Sequence, residues 1–169
     1  NKFLAYAGMS WLTDKSLNLE EIKKNSLKNE QQFQLKGRFE HWNTSLGGYY
    51  FNGGHNLVGI RKLVEILAER AELPFTKTFL AFSARSSAEI QQSVKIFETN
   101  RNLFGKIYLT KFNHSKAYDG PMVAAEGTEQ VADWKKILSQ NSAQEKILVT
   151  GSYYFVGEVQ KFLSPFFNS

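Results

Sequence analysis

Three short stretches of the chain carry residue types that can hold an anion. The first is Asn52-Gly53-Gly54-His55-Asn56. Two glycines let the backbone turn tightly and approach a ligand. A helix starting behind them would offer free N–H groups and the positive end of its dipole, and His55 adds a titratable donor. On local grounds a plainer account is the stronger one: a turn in which Asn56 caps the helix and His55 is solvated. The second stretch is Thr150-Gly151-Ser152-Tyr153-Tyr154. The Ser152 hydroxyl could bond an anionic ligand, yet capping a helix is the commoner use of a serine there. The third is Gly37-Arg38-Phe39-Glu40. Arg38 could pair with phosphate or stack on a base, while a surface arginine at a junction is the commoner case.

These stretches need elements to position them. Residues 38–42 and 49–52 read as short strands around a Ser-Leu-Gly-Gly turn. Residues 56–72 form a helix, with Ile60, Leu63, Val64, Leu67 and Ala68 on one stripe and Pro74 beyond its end. Residues 76–82 are a buried strand, 87–103 a helix with Ile90, Val94 and Phe97 inward, and 106–110 a strand. Residues 128–138 read as a helix with Val131, Trp134 and Leu138 inward; 146–150 are a strand and 154–163 the last helix. Before Gly37, residues 3–12 and 17–27 read as a small helical pair, followed by a polar linker. Strands alternating with helices imply crossover connections and a largely parallel sheet. Ligands on such sheets bind at the carboxyl ends of the strands, which is where the first two stretches fall.

Composition narrows the classes of function. The chain has 169 residues, a net charge of +5 and no cysteine, so disulfides and thiolate metal sites are excluded. Fourteen Phe, seven Tyr and three Trp supply core material. The basic residues are spread rather than clustered, which argues against a nucleic-acid surface. No apolar run is long enough to span a bilayer. There is no G-x-x-x-x-G-K-[ST] phosphate loop and no G-x-G-x-x-G. No G-x-S-x-G elbow occurs, and His41, His55 and His114 lack metal-ligand spacing. The pairs Tyr49-Tyr50, Tyr153-Tyr154 and Phe166-Phe167 read as packing rather than stacking platforms. The chain opens on Asn1 rather than Met, which suggests a piece of a longer protein.

Taken in order, four segments resemble one family. Leu35-Lys36-Gly37-Arg38-Phe39-Glu40 is similar to the L-P-G-R-F-E that opens the last domain of folylpolyglutamate and dihydrofolate synthases. Residues 50–59, Tyr-Phe-Asn-Gly-Gly-His-Asn-Leu-Val-Gly, resemble their L-D-G-A-H-N-P-x-G. Ile107-Tyr108-Leu109-Thr110 resembles their I-Y-L-T strand. Residues 147–152 with Val156-Gly157-Glu158-Val159 resemble L-V-T-G-S-x-x-x-V-G-E-V. The resemblance runs from about Leu35 to the end of the chain.

The resemblance implies a Mur-ligase-type carboxyl-terminal domain over residues 35–169: a Rossmann-like, mostly parallel mixed sheet flanked by helices. Residues 1–34 would be the closing helices and linker of a preceding ATPase domain. It implies an ATP-dependent ligase that adds L-glutamate to a folate, or to dihydropteroate, through an acyl phosphate. ATP and Mg²⁺ would be held mainly by that preceding domain, in a cytoplasmic protein with no nucleic-acid or membrane partner. No catalytic residue and no metal ligand would lie in this chain, which alone would be inactive. Arg38 and Asn52 would contact the nucleotide, and His55 and Ser152 would place the glutamate, their side chains facing one cleft. Another Mur-type amino-acid ligase and a non-catalytic binding module on the same fold are the alternatives. The chain departs from the family pattern at Asn52, where the family has Asp. It also departs at Gly54 and Leu57, and at Ser83-Ala84-Arg85-Ser86-Ser87, where an acidic and basic D-K-D stretch is common.

Overall fold

The computed structural model describes residues 38–69, 74–121 and 125–167. The expected helices before residue 35, and the boundary there, lie outside them. Six strands form one sheet in the order β1-β2-β6-β3-β4-β5. They are β1 (Arg38–Thr44), β2 (Gly47–Asn52), β3 (Lys77–Ala81), β4 (Lys106–Thr110), β5 (Thr128–Val131) and β6 (Lys146–Gly151). Only β1 runs antiparallel to its neighbour; β2, β6, β3, β4 and β5 pair in parallel. The expected mostly parallel mixed sheet flanked by helices is what the chain forms.

Alternation along each strand sends successive side chains to opposite faces. Tyr50, Leu80, Leu148, Ile107 and Leu109 join one core with Ile60, Leu63 and Leu67 of α1 (Leu57–Ala68) and Ile90, Val94 and Phe97 of α2 (Ser87–Thr99). Tyr49, Phe51, Phe79, Ile147 and Val149 join the other with Trp134 and Leu138 of α4 (Trp134–Ser139) and Phe155, Val159 and Leu163 of α5 (Tyr153–Leu163). The short α3 (Arg101–Phe104) adds Phe104 to the first core. Each of these fully buried aliphatic or aromatic side chains contributes about 1.5–3 kcal/mol relative to exposure.

Two helices expected from the sequence are not continuous. The one over 87–103 breaks at Asn100, whose Nδ2 donates to Ile96 O at 2.8 Å while its N–H turns back to Phe97 O. The one over 128–138 is a strand followed by a turn and a short helix. Thr128–Val131 pairs in parallel with Ile107–Thr110, completing the sheet edge, and Glu129 reaches Lys106 at 2.7 Å. Asp133 then caps α4, accepting from Lys136 N at 3.1 Å. The spacing of Val131, Trp134 and Leu138 mimics a helical stripe. An edge strand with half-exposed side chains carries no alternation to contradict it.

Candidate functional site

The carboxyl ends of β2, β6, β3 and β4 converge as the strand-end rule requires. Register sets Arg38 of β1 opposite Asn52 of β2, Asn52 beside Thr150 of β6, and Thr150 beside Leu80 of β3. The two residues expected to meet a nucleotide are therefore neighbours across one strand pair. A bulge follows Arg38, and Phe39 takes a left-handed φ of 59° within it. Such a bulge bends the strand end and re-aims what it carries.

Asn52 is not a free polar tip. Its Oδ1 accepts the Gly54 N–H at 2.8 Å, a local turn that an aspartate at the same position could also make. Gly53 is required by space: a Cβ there would lie 2.0 Å from the Tyr153 ring. Asn56 caps α1, its Oδ1 accepting Gly59 N–H at 2.7 Å. His55 is exposed. Its Nδ1 lies 3.0 Å from Gly53 O and so donates to that carbonyl. In the neutral ring Nε2 is then left as an acceptor. The His55 ring also rests on Tyr153, centroids 5.4 Å apart.

Ser152 departs from expectation. Its side chain is fully buried rather than turned to a cleft. Its Oγ accepts Tyr154 N–H at 3.2 Å as the cap of α5 and bonds Ser83 Oγ at 2.8 Å. Ser152 N also donates to Ala81 O at 2.8 Å. Burial follows from the close meeting of β6 and β3, where Gly151 holds φ at +104° and a Cβ would lie 2.2 Å from Ala81 O. The sequence-predicted pair thus sits on adjacent loops, with His55 outward and Ser152 beneath. Tyr153, at the first position of α5, lies between the two loops.

Other features of this edge were not anticipated. Tyr153 and Tyr154 are 41% and 42% exposed, so this aromatic pair lies at the surface, against His55 and His114, and not in either core. By contrast, Tyr49 and Tyr50 pack into opposite cores. Ser83 links the loop after β3 to the cap of α5. Ala84 N bonds Lys116 O at 2.8 Å, joining that loop to the one after β4. Arg85 stands 3.8 Å from Glu89, and its Nε is buried without a partner among the described residues. The Thr150 Oγ is likewise buried and unpartnered. A donor or acceptor left so costs about 1–3 kcal/mol. The runs of serine and small residues after β3 gave no periodic signal by which these positions could be found.

This architecture, a mixed and mostly parallel sheet flanked by helices with its loops gathered at the strand carboxyl ends, is a Rossmann-like α/β fold. Among solved structures it matches the ligand-free bifunctional folylpolyglutamate synthase/dihydrofolate synthase of Yersinia pestis. That match has a TM-score of 0.60 at 18% identity, over 77% of this chain and 32% of that one. It also matches the folylpolyglutamate synthase of Thermotoga maritima, with a TM-score of 0.52 at 21% identity, over 76% of this chain and 30% of that one. In sequence the chain is 28% identical over 120 residues to the dihydrofolate synthase/folylpolyglutamate synthase of Bacillus subtilis, spanning 66% of this chain and 27% of the relative. No family model matches the chain. The resemblance to folylpolyglutamate and dihydrofolate synthases is thus present in sequence and in fold. The chain spans about a quarter of the length of that curated relative.

Proposed function

We propose that the chain is the carboxyl-terminal part of an ATP-dependent ligase that joins L-glutamate to a folate or dihydropteroate. In this reading residues 35–169 form the domain that helps to hold the nucleotide and the incoming amino acid. The single observation that carries it is the Asn52–Asn56 turn, built on Gly53, Gly54 and the Tyr153 ring so that His55 stands outward at the strand ends. A solved Yersinia pestis relative was obtained with AMPPNP and Mn, and a solved bifunctional folylpolyglutamate synthase/dihydrofolate synthase with Mn, AMPPNP and L-glutamate. That supports a nucleotide, a divalent metal and glutamate as ligands of the whole protein.

His55 meets the amino acid. With Nδ1 committed to Gly53 O, neutral His55 offers Nε2 to an ammonium or amine hydrogen, and the protonated ring offers a donor to a carboxylate. Asn52 and Arg38 lie on the nucleotide side of the same edge. Ser152 acts by setting the start of α5 rather than by reaching out. Among the described residues no three His, Cys, Asp or Glu side chains converge on one point. The part of this domain is positioning and charge placement, which is most of what phosphoryl transfer and amide formation ask of a protein.

The test compares the 169-residue chain with the complete ligase. The chain alone turns over no ATP above background; the complete protein adds glutamate to folate with ATP. In that protein His55→Ala raises KM for glutamate about ten-fold, the value of one charge-assisted hydrogen bond, with KM for ATP changed much less. Metal-dependent ATP turnover by the chain alone, or an unchanged glutamate KM, sinks this reading.

A further inference from the structure

Helix α5 carries a glycine that its own fold does not need. Gly157 stands in the middle of Tyr153–Leu163, exposed, and a Cβ added there would meet nothing within 4 Å. Elsewhere on this edge the glycines are demanded by contact, as at Gly53 and Gly151. A helix interior disfavours glycine, so bare backbone at this point needs a reason from outside the helix.

Gly157 forms part of the floor of a groove between α5, α4 and the loop after β4. Asn113 and His114 line it on one side, Lys135 on another, and Tyr154 and Lys161 along α5. Its volume of about 590 Å³ is far more than a single ion fills. Lys135 and Lys161 are exposed, and Lys116 Nζ lies over the Tyr154 ring, 5.5 Å from its centroid. The carboxylate in the lining, Glu158, is already engaged: it accepts Asn113 N–H at 3.0 Å and stands 3.9 Å from Lys135. His114 stacks on Tyr154 with centroids 4.0 Å apart, and its Nδ1 accepts Lys116 N–H at 3.0 Å. The neutral imidazole therefore carries its proton on Nε2, a donor beside the lysines.

We propose that this groove docks an acidic peptide segment of a partner protein. The lysines and the His114 N–H receive its carboxylates, the Tyr154–His114 stack gives it an aromatic wall, and Gly157 lets its backbone come close to α5. A nucleic acid fits less well, because the basic side chains form no extended stripe. The groove uses neither His55 nor Asn52, although Gly157 and Glu158 belong to a segment that carries the family resemblance.

Titration of the isotope-labelled chain with a tetra-aspartyl peptide tests it, with the tetra-asparaginyl peptide as control. Expected are saturable amide shifts at Gly157, Lys161 and His114 with the acidic peptide only, weakened by salt. Gly157→Leu fills the open space without touching the core. It should leave the melting temperature unchanged or higher and weaken the peptide about ten-fold or more. Lys161→Glu should weaken it without altering the fold. Shifts confined to residues 52–56, equal shifts with inorganic phosphate, self-association through this face, or binding indifferent to Gly157→Leu each overturn the proposal.

Discussion

At the scale of the residue, the two candidate amino-acid contacts differ in what they do for the fold. Ser152 is buried and shared between the cap of α5 and Ser83. His55 is exposed, hydrogen-bonds Gly53 O of its own turn and rests on the Tyr153 ring. Ser152→Ala removes a cap and leaves the Ser83 hydroxyl short of a partner, so it should cost about 1–3 kcal/mol in urea unfolding. His55→Ala should stay within about 0.5 kcal/mol. A Ser83→Ala, Ser152→Ala double mutant less destabilised than the sum of the singles would confirm the pair. Additive losses would mean that the two hydroxyls act separately. The turn was legible at this scale: Asn56 capping the helix with His55 solvated was the stronger local account, and it is what these residues do. The burial of Ser152 was not, because it depends on Ala81 and Ser83, about seventy residues away in sequence.

At the scale of the element, the turn after β2 and the start of α5 form one packed unit. A Cβ at Gly53 would meet the Tyr153 ring at 2.0 Å, and that ring also supports His55. Gly53→Ala should therefore destabilise the chain by about 1–3 kcal/mol through overpacking, and combining it with Tyr153→Ala should recover most of the loss. Thermal unfolding of both variants decides the matter; a loss that Tyr153→Ala does not relieve places the strain in the Gly53 backbone instead. Two helix starts were anticipated from side-chain caps, Asn56 accepting Gly59 N–H and Ser152 accepting Tyr154 N–H, whereas the Asp133 cap of α4 was not. The edge strand Thr128–Val131 was not, because what makes it a strand is pairing with β4.

At the scale of the molecule, the end of the sheet opposite the candidate site is held by a polar cluster. Lys77 bridges Asn141 and Glu145, the latter at 2.8 Å, and Asn141 Nδ2 donates to the Tyr49 hydroxyl at 3.3 Å. Burial pushes the Tyr49 phenol from its ordinary 10.0 up to about 12; the bond from Asn141 opposes that shift and the Glu145 charge adds to it. The folded state therefore holds this proton more tightly than the unfolded chain. Its contribution is fully present below pH 10 and is lost as pH rises toward 12. Stability measured across that range should fall, and Tyr49→Phe should fall less steeply. A Tyr49→Phe profile parallel to the parent would assign the alkaline loss to other groups.

The sequence by itself determined the alternation of strands and helices, the two strand-end motifs and the resemblance they carry. All of these rest on near neighbours in the chain: periodic apolar residues, side-chain caps and glycines at turns. Tertiary structure alone decided the strand order β1-β2-β6-β3-β4-β5, which brings Asn52 beside Thr150 and Ser83 beside Ser152. It alone buried Ser152, exposed Tyr153 and Tyr154, and opened the groove over Gly157. The reason is physical. A side chain's local preference is set by a few adjoining residues, whereas its burial and its hydrogen-bond partners are set by which distant strand packs beside it.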